Sequence, residues 1–562
     1  MLNSKISSAL AALAAGERIE LGEALEKVVV EEPRDHDHGH LATNAALVLS
    51  KLFRQKPADL ADRIMAGIDD SEGYIEKMEK AGPGFINFTL SLKWWAKALE
   101  DLLTAGDSFG RGSPKGIKAM VEYVSANPTG PLHVGHGRGA AIGDALTRLM
   151  ARAGYEVVPE YYINDAGRQM RILGESVFLR LMEIAGDPGP FPEGFYQGSY
   201  IVDLAREYLE LKPELLNLAR EALAEGGLEP FRPGHEEPLN DLSDFAQSRI
   251  MESIQEDLRA FRVRHEVWFS EKSLYNDGMV DKALNHMRDK GYIYDKDGAL
   301  WFRSETLGDD KDRVLIKSGG EKTYFAADIA YHWNKYDRGF DLVVDIWGAD
   351  HHGYVPRMKA AVEALGRSRD DLAIVLVQLV SLVKQGQPVA MSTRAGEFVT
   401  LKEVVDEVGA DAARFMFLTR SPDSTLEFDL DLAKAKTKDN PVYYVQYAGA
   451  RIESIIKAAG AADDGKPPDL SLLDKPEEVA LIKHLTSFPD LIQSAAQRKE
   501  PHHLTAYLST LARQFHHYYG VHRIALDDQP ELTKARLALI RSIRLVIRLG
   551  LDLLGVSSPD SM

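Results

Sequence analysis

The stretch from Glu122 to Gly139, EYVSANPTGPLHVGHGRG, concentrates residues able to do chemistry. His133 and His136 stand three apart where a Pro/Gly loop gives way to a helical pattern, so both imidazoles can share one helix face. Gly135 between them lets a ligand approach the backbone closely. A helix starting there aims free N–H groups and its positive end at the same space, which favours a phosphate. Imidazole N–H donors beside it would stabilise charge developing on a phosphate under attack. Three other readings compete. Gly135–Ala140, GHGRGA, has the letters of the dinucleotide fingerprint, but that turn must follow its strand directly, and about ten residues, Pro128 and Pro131 among them, intervene. Metal binding by the two histidines lacks an obvious third ligand nearby. A purely structural histidine pair is the third.

The elements that must position these residues follow from pattern. Ile117–Val124 reads as a strand, a helix begins near His133 with Ile142, Leu146, Leu149 and Ala153 at helical spacing, and Val157–Ile163 reads as the next strand. This β-loop-α-β start predicts a parallel sheet with nucleotide chemistry at the strands' C-terminal ends. Strands resume at Leu342–Trp347 and Ala373–Leu382, and the amphipathic region at about 185–275, bracketed by Pro/Gly turns, reads as an insertion. Ahead of the nucleotide fold, residues 1 to about 112 are mixed: helical patterns at Ala9–Ala15 and Leu41–Leu52, a strand at Phe85–Leu90, and a linker at Phe109–Pro114. Beyond about 435 the pattern is nearly all helical apart from the Gly460–Pro468 loop.

Composition narrows the function classes. The 562 residues suggest three to four domains, and 67 Lys and Arg against 85 Asp and Glu leave a net charge of −18. That charge argues against coating nucleic acid along the whole length and leaves room for a local basic face. The absence of cysteine removes disulfides, thiolate nucleophiles and Cys-ligated zinc. No run reaches the roughly 18 apolar residues of a membrane span. The N-terminus has too weak an apolar stretch for a signal peptide and reads as an ordinary helix, so a cytoplasmic protein is expected.

His133-Val-Gly-His136 resembles the signature histidine motif of class I aminoacyl-tRNA synthetases. Ser125–His136, SANPTGPLHVGH, is similar to the arginyl-tRNA synthetase form in particular. Further segments agree with that family in order: Tyr162–Gly167, Tyr324–Asp328, Gly348–Gly353, Met391–Gly396 and Asp439–Tyr447. Asp37–Asn44 and Gly82–Asn87 resemble its N-terminal appended domain. The resemblance implies an α/β enzyme in three parts. These are an N-terminal α+β tRNA-contacting domain (1–112), a Rossmann-like parallel-sheet catalytic domain with an insertion (113–435), and a helical anticodon-binding domain (436–562). It further implies that arginine and ATP give arginyl-adenylate, a step that generally needs bound tRNA, and that the arginyl group then passes to the terminal adenosine 2′-hydroxyl of tRNA specific for arginine. Mg²⁺ would ride on the ATP phosphates, with no zinc. A monomer is expected.

Residue by residue, the resemblance places His133, Gly135 and His136 at the ATP phosphates, and Gly348, His351 and His352 against the adenosine. Asp328, with Tyr324 four residues earlier, becomes the guanidinium partner, a planar fork pairing best with a carboxylate. Glu122 and Asn127 would hold the charged end of the amino acid, and Asp350 would also bind the arginine. A helix-capping role for Asp328, and a capped helix start or a metal site at Asp350–His352, stay open. The Asp35–His40 cluster reads as a solvated turn rather than a metal site.

Met391, Ser392 and Arg394 fall in the second signature loop, usually K-M-S-K-S, but Ala390 and Thr393 stand at both lysine positions. Some arginyl enzymes use a lysine just ahead of the histidine motif; here that residue is Gly130. Arg394, Lys384 and Arg138 remain as cations for the departing pyrophosphate. An alternative is therefore a tRNA-binding relative with impaired activation. Residues 531–550 carry Lys534, Arg536, Arg541, Arg544 and Arg548 against Glu531 alone. Arg541, Arg544 and Arg548 would share one helix face for tRNA, leaving Leu537, Ile540, Ile543 and Ile547 for the core. Tyr443, Tyr447 and Arg451, with Tyr444, could stack on unpaired bases.

Overall fold

The computed structural model describes residues 2–33, 38–186, 189–224, 236–389, 399–459 and 467–562. It resolves into two compact units. Met1–Phe109 group with Arg451–Phe488 and Arg513–Val546; Gly110–Ala450 group with Pro489–Ala512 and Ile547–Met562. The helices beyond 435 are thus shared between the units.

The first unit contains an antiparallel sheet of β1 (Val30–Glu31), β2 (Leu41–Thr43), β3 (Ile75–Ala81) and β4 (Phe85–Leu90), in the order β1-β2-β4-β3. The central strand buries Ile86, Phe88 and Leu90. The hairpin before it needs Gly84 at φ +149°, where a Cβ would come within 2.6 Å of the Pro57 side chain. The helical pattern at Leu41–Leu52 is only partly helix: Leu41–Thr43 pair on both sides, with β1 and β4, before the helix Ala45–Leu49. Tertiary pairing overrides the local period there.

The second unit is built on a five-stranded parallel sheet of β5 (Lys118–Glu122), β6 (Glu156–Ile163), β7 (Val267–Ser270), β11 (Leu342–Gly348) and β12 (Leu372–Val377). Between β7 and β11 the chain forms an antiparallel sheet of β8 (Ile293–Lys296), β9 (Ala299–Phe302) and β10 (Arg313–Ile316). The parallel order is β12-β11-β5-β6-β7, so the chain reverses direction across the sheet between β5 and β11. At such a switch point the loops leave to opposite faces and a crevice opens at the C-terminal edge. Ala119, Met120, Val121, Val343 and Val344 are fully buried, as strands covered on both faces require.

Two expectations are corrected. β7 lies inside the region read as an insertion. The inserted helices are Arg168–Ala185, Ser199–Leu211, Leu215–Ala224 and Glu236–Ala260, and the chain then returns to pair along the C-terminal half of β6. The apolar run Ala373–Leu382 is two strands, not one. β12 ends at Val377, and β13 (Val380–Lys384) joins β14 (Gln387–Pro388) and β15 (Leu426–Asp429) in another sheet. The break falls at Gln378, whose N–H donates to the Pro422 carbonyl at 2.9 Å and whose carbonyl accepts from Arg138 at 2.9 Å. Leu379 beside it is 80% exposed. No helix among the described residues is long and apolar enough to cross a membrane.

Candidate active site

β5 delivers Glu122 to the switch point, where the chain turns through Val124 and Ser125 at φ +69° and +39°. Side chains rarely adopt this region, and each such residue costs about 1–3 kcal/mol unless its surroundings hold it. They do: Ser125 Oγ donates to Glu122 Oε1 at 2.9 Å and accepts from the Tyr162 N–H at 3.1 Å, and Tyr161 donates to the Ala126 carbonyl at 2.9 Å. Asn164 donates to Asn127 Oδ1 at 3.1 Å, while its own Oδ1 is buried with no partner among the described residues. From the insertion, Tyr200 donates to the Thr129 carbonyl at 2.8 Å. Its hydroxyl would lie 3.0 Å from a Cβ at Gly130, so the space a lysine there would enter is already filled by a tyrosine.

The loop ends at His133, the N-cap of the helix Val134–Arg152. His133 Nδ1 accepts from the N–H groups of Gly135 (3.1 Å) and His136 (3.4 Å), and His136 Nδ1 accepts from the His133 N–H at 3.3 Å. The two rings stack with centroids 3.6 Å apart. Burial lowers both pKa values, that of His136 to about 3, so both imidazoles are neutral with the proton on Nε2. Gly135 is required for this fold-over: a Cβ there would sit 2.9 Å from His133 Cε1. What approaches its backbone is the His133 ring. Val399–Leu401 dock against the same turn, the Val134 N–H donating to the Val399 carbonyl and the Leu401 N–H to that of Leu132.

On the other side of the crevice β11 ends at Gly348, followed by the tight turn Ala349–Tyr354. Asp350 is 82% exposed at its side chain, with His351 Nε2 3.7 Å from its carboxylate, and His352 Nδ1 lies 3.2 Å from the Ala349 carbonyl. These three form an open rim. Among the described residues no three His, Asp or Glu side chains are grouped to hold a metal ion.

The helix Tyr324–Asp337 carries the candidate side-chain pocket. Tyr324 is largely exposed, and Asp328 one turn later accepts a short hydrogen bond from the Tyr354 hydroxyl. Desolvation pushes the Asp328 carboxyl up. Within electrostatic reach of it is Glu271, which opens the helix after β7; burial, then the nearby Asp328, raise it to about 7, with Tyr162 and Tyr275 hydrogen-bonded to it. Pattern reading missed Glu271. Its signal was a polar residue directly after VWFS, a strand assigned to the insertion.

Glu122 departs from expectation. Its Oε2 lies 2.6 Å from Lys335 Nζ and its Oε1 takes Ser125, so the carboxylate is spent inside the molecule rather than presented to a ligand. Lys335 also reaches Asp345 at 2.8 Å, and His332 bridges Asp345 (2.9 Å) and the Asp328 carbonyl (2.8 Å). A second buried group, Glu160 with Tyr331 and Arg338, flanks it. This network fixes the Asp328 helix to the ends of β5 and β11.

In the second signature loop Met391, Ser392 and the candidate cation Arg394 lie outside the described residues, with Ala390 and Thr393. Arg138 is corrected: it is fully buried and donates to the carbonyls of Gln378, Ser424 and Ser421 at 2.7–2.9 Å. Lys384 pairs with Glu407 at 2.7 Å.

Among the tRNA candidates, Tyr443 and Tyr447 are half-buried and stacked, with centroids 6.0 Å apart, and the Arg451 guanidinium lies 5.3 Å from the Tyr519 ring centre. Arg541 and Arg548 are exposed. Arg544 is corrected: it is buried and its Nε donates to Glu453 at 2.9 Å. Position 544 is four after Ile540 and three before Ile547, on the apolar stripe rather than the outer face. Of the Asp35–His40 cluster, Asp35, His36 and Asp37 lie outside the described residues. His40 accepts from the Leu90 N–H at 2.9 Å and packs edge-on against Trp95.

A parallel sheet whose switch point holds a histidine-capped helix is the architecture of a class I aminoacyl-tRNA synthetase, and residues 98–431 match the class I (R) catalytic-domain family. Residues 1–90 match the arginyl-tRNA synthetase N-terminal domain and 445–562 the DALR anticodon-binding domain. The arginine–tRNA ligase of Desulfovibrio desulfuricans is 50% identical over 95% of this chain and 96% of its own. That of Geobacter sp. strain M21 is 49% identical over 95% and 94%. A Campylobacter jejuni crystal structure described as a candidate arginyl-tRNA synthetase is 37% identical, covering 84% of this chain and all of its own with a TM-score of 0.75. The Thermus thermophilus arginyl-tRNA synthetase shares the fold, at 23% identity, 100% and 99% coverage and TM-score 0.75. The chain belongs to the arginyl-tRNA synthetase family, the arginine–tRNA ligases. The alternative of a relative with impaired activation gains no support from these relatives.

Proposed function

We propose that this chain activates arginine with ATP and transfers it to tRNA specific for arginine. The arginine carboxylate attacks the α-phosphorus, forming the acyl-phosphate bond as the α–β bond breaks and pyrophosphate leaves. The 2′-hydroxyl of the terminal adenosine then attacks the acyl carbon and AMP departs. The observation that carries this reading is the pair of desolvated, electrostatically coupled carboxylates Asp328 and Glu271, hydrogen-bonded to Tyr354 and to Tyr162 and Tyr275. A guanidinium between two desolvated carboxylates donates hydrogen bonds to both and relieves their repulsion. Lysine would leave acceptors unpaired, so the site needs no separate editing step.

Tyr324 flanks the substrate side chain, and Asn127, the orphaned Asn164 Oδ1 and the rim Asp350 take its charged end. Glu122 and Asp345 outnumber Lys335 beneath, which favours the α-ammonium without direct contact. His133 and His136 Nε2–H, on the tight turn that Gly135 allows, bind the α-phosphate, and Gly348, His351 and His352 the adenosine. Mg²⁺ arrives with the ATP phosphates. Met391, Ser392 and Arg394 attend the departing pyrophosphate; Arg394→Ala should slow exchange about 10²-fold, the loss typical of one transition-state charge contact. Tyr443, Tyr447, Arg451, Arg541 and Arg548 contact tRNA. The tRNA-contacting, catalytic and anticodon-binding parts span 1–112, 113–435 and 436–562 in this reading. We further propose a cytoplasmic monomer whose activation step needs bound tRNA. Charging of bulk tRNA with each labelled amino acid, with and without ATP, tests the whole reading: only arginine, and only with ATP, should be esterified.

A further inference from the structure

A second cavity, of about 730 Å³, opens on the face of the catalytic sheet opposite the carboxylate cleft. Strand alternation fixes the sides. In β6, Tyr162 packs on Tyr331 toward Asp328, with ring centroids 4.5 Å apart, whereas Tyr161 stacks on Trp268 at 4.6 Å. In β7, Phe269 faces Tyr331 while Trp268 lines the cavity. Arg148 on its wall stands fifteen residues beyond His133 along the same helix, about 22 Å at 1.5 Å per residue, so this cavity is not the ATP crevice.

Its lining is unusual for a chain of net charge −18. Arg148, Arg259, Arg262 and Arg264 converge with His265 and Trp268, and among the described residues no carboxylate lines the cavity. Two arginines are anchored: Arg148 Nε on Asp144 at 2.8 Å, and Arg262 on Asp411 at 2.5 Å. The other two have capacity to spare. Arg259 uses only Nε, toward the Gln255 carbonyl at 3.2 Å, and the Arg264 side chain has no partner among the described residues. His265 supplies the opposite polarity. Its Nε2 donates to the Tyr123 carbonyl at 3.2 Å, which leaves Nδ1 a buried acceptor with no partner among the described residues. Burial lowers its pKa to about 4, so the ring is neutral at physiological pH.

Unspent guanidiniums ask for an anion, and a buried, unprotonated imidazole nitrogen asks for a hydrogen-bond donor. A ribonucleotide carries both, a phosphate and a ribose hydroxyl or base amine. We propose that this cavity binds a ribonucleotide, its phosphate on Arg259 and Arg264 and a hydroxyl or amine on His265 Nδ1. The nucleotide is either free or part of a tRNA strand, and the two sources give different readouts.

The full-length protein, its activation crevice filled with the adenylate mimic arginyl-sulfamoyl adenosine, is titrated with AMP and separately with tRNA transcript. Arg259→Ala/Arg264→Ala is measured alongside; both side chains are exposed, and an unchanged thermal melt confirms the fold. A free-nucleotide site takes up one equivalent of AMP, and the variant loses at least tenfold in AMP affinity. A tRNA site takes up no AMP, but the variant loses at least tenfold in tRNA affinity, and its log K against log salt is shallower by about one unit, near one per lost phosphate contact. Either result supports the proposal. Equal AMP uptake by both proteins, or no AMP uptake with unchanged tRNA affinity and salt slope, overturns it.

Discussion

The imidazoles of His133 and His136 stack 3.6 Å apart and cap the helix reciprocally, each Nδ1 taking a backbone N–H. The arrangement uses each ring twice, as helix cap and as a source of one outward Nε2–H. His136→Ala should therefore lower arginine-dependent pyrophosphate exchange by about 10²–10³-fold, the range for losing one transition-state donor, with little change in KM for arginine.

The same burial sets a stability window. His136 titrates near 3 in the folded chain against 6.5 for the free side chain. Between those values the unfolded chain binds more protons, so stability is full above about pH 6.5 and is lost as the pH falls toward 3. Urea melts of the wild type from pH 7 to 4 should show this loss, and His136→Ala should lessen it.

Glu271 gives arginine recognition its own pH dependence. With its carboxyl raised to about 7 by burial and Asp328, the empty pocket holds a proton below neutrality that a guanidinium must displace. Arginine affinity should rise from pH 6 to 8, and Glu271→Gln should weaken binding and flatten that rise. Calorimetric titration at several pH values reads both.

Much of this was legible beforehand. The strand ahead of the Pro/Gly loop, the helix from His133 and the strand at Val157–Ile163 all follow from local pattern, because burial and period coincide there. Less visible was whatever depends on partners distant in sequence. Arg138 and Arg544 look like surface cations until the Gln378 carbonyl and Glu453 are found beside them. Glu122 looks like a ligand group until Lys335, 213 residues away, is seen to occupy it. Glu271 was hidden because β7 pairs only after a long helical detour, and no local periodicity announces such a return.

Lys335→Met leaves Glu122 and Asp345 buried without their cation. Breaking a buried ion pair from one side costs about 3–5 kcal/mol, so the variant should be strongly destabilised in denaturant titration. A combined Lys335→Met/Glu122→Gln variant should recover part of that loss, since one uncompensated charge goes with it.

The two arginine environments on the last helix separate stability from RNA contact. Arg541→Ala/Arg548→Ala should weaken tRNA binding and make its salt dependence shallower by about two units, while Arg544→Ala lowers the melting temperature and leaves the salt slope unchanged. Filter binding across a salt series, with a thermal melt of each variant, distinguishes them.

The central claim is that desolvated carboxylates select a forked cation, and Asp328→Asn tests it most directly when kcat/KM for arginine is measured in tRNA charging. Losing one buried charged hydrogen-bond partner, about 2–5 kcal/mol, should cut kcat/KM by about 30-fold or more, chiefly through KM, while ATP binding stays intact. A variant that charges arginine within threefold of the wild type would contradict it.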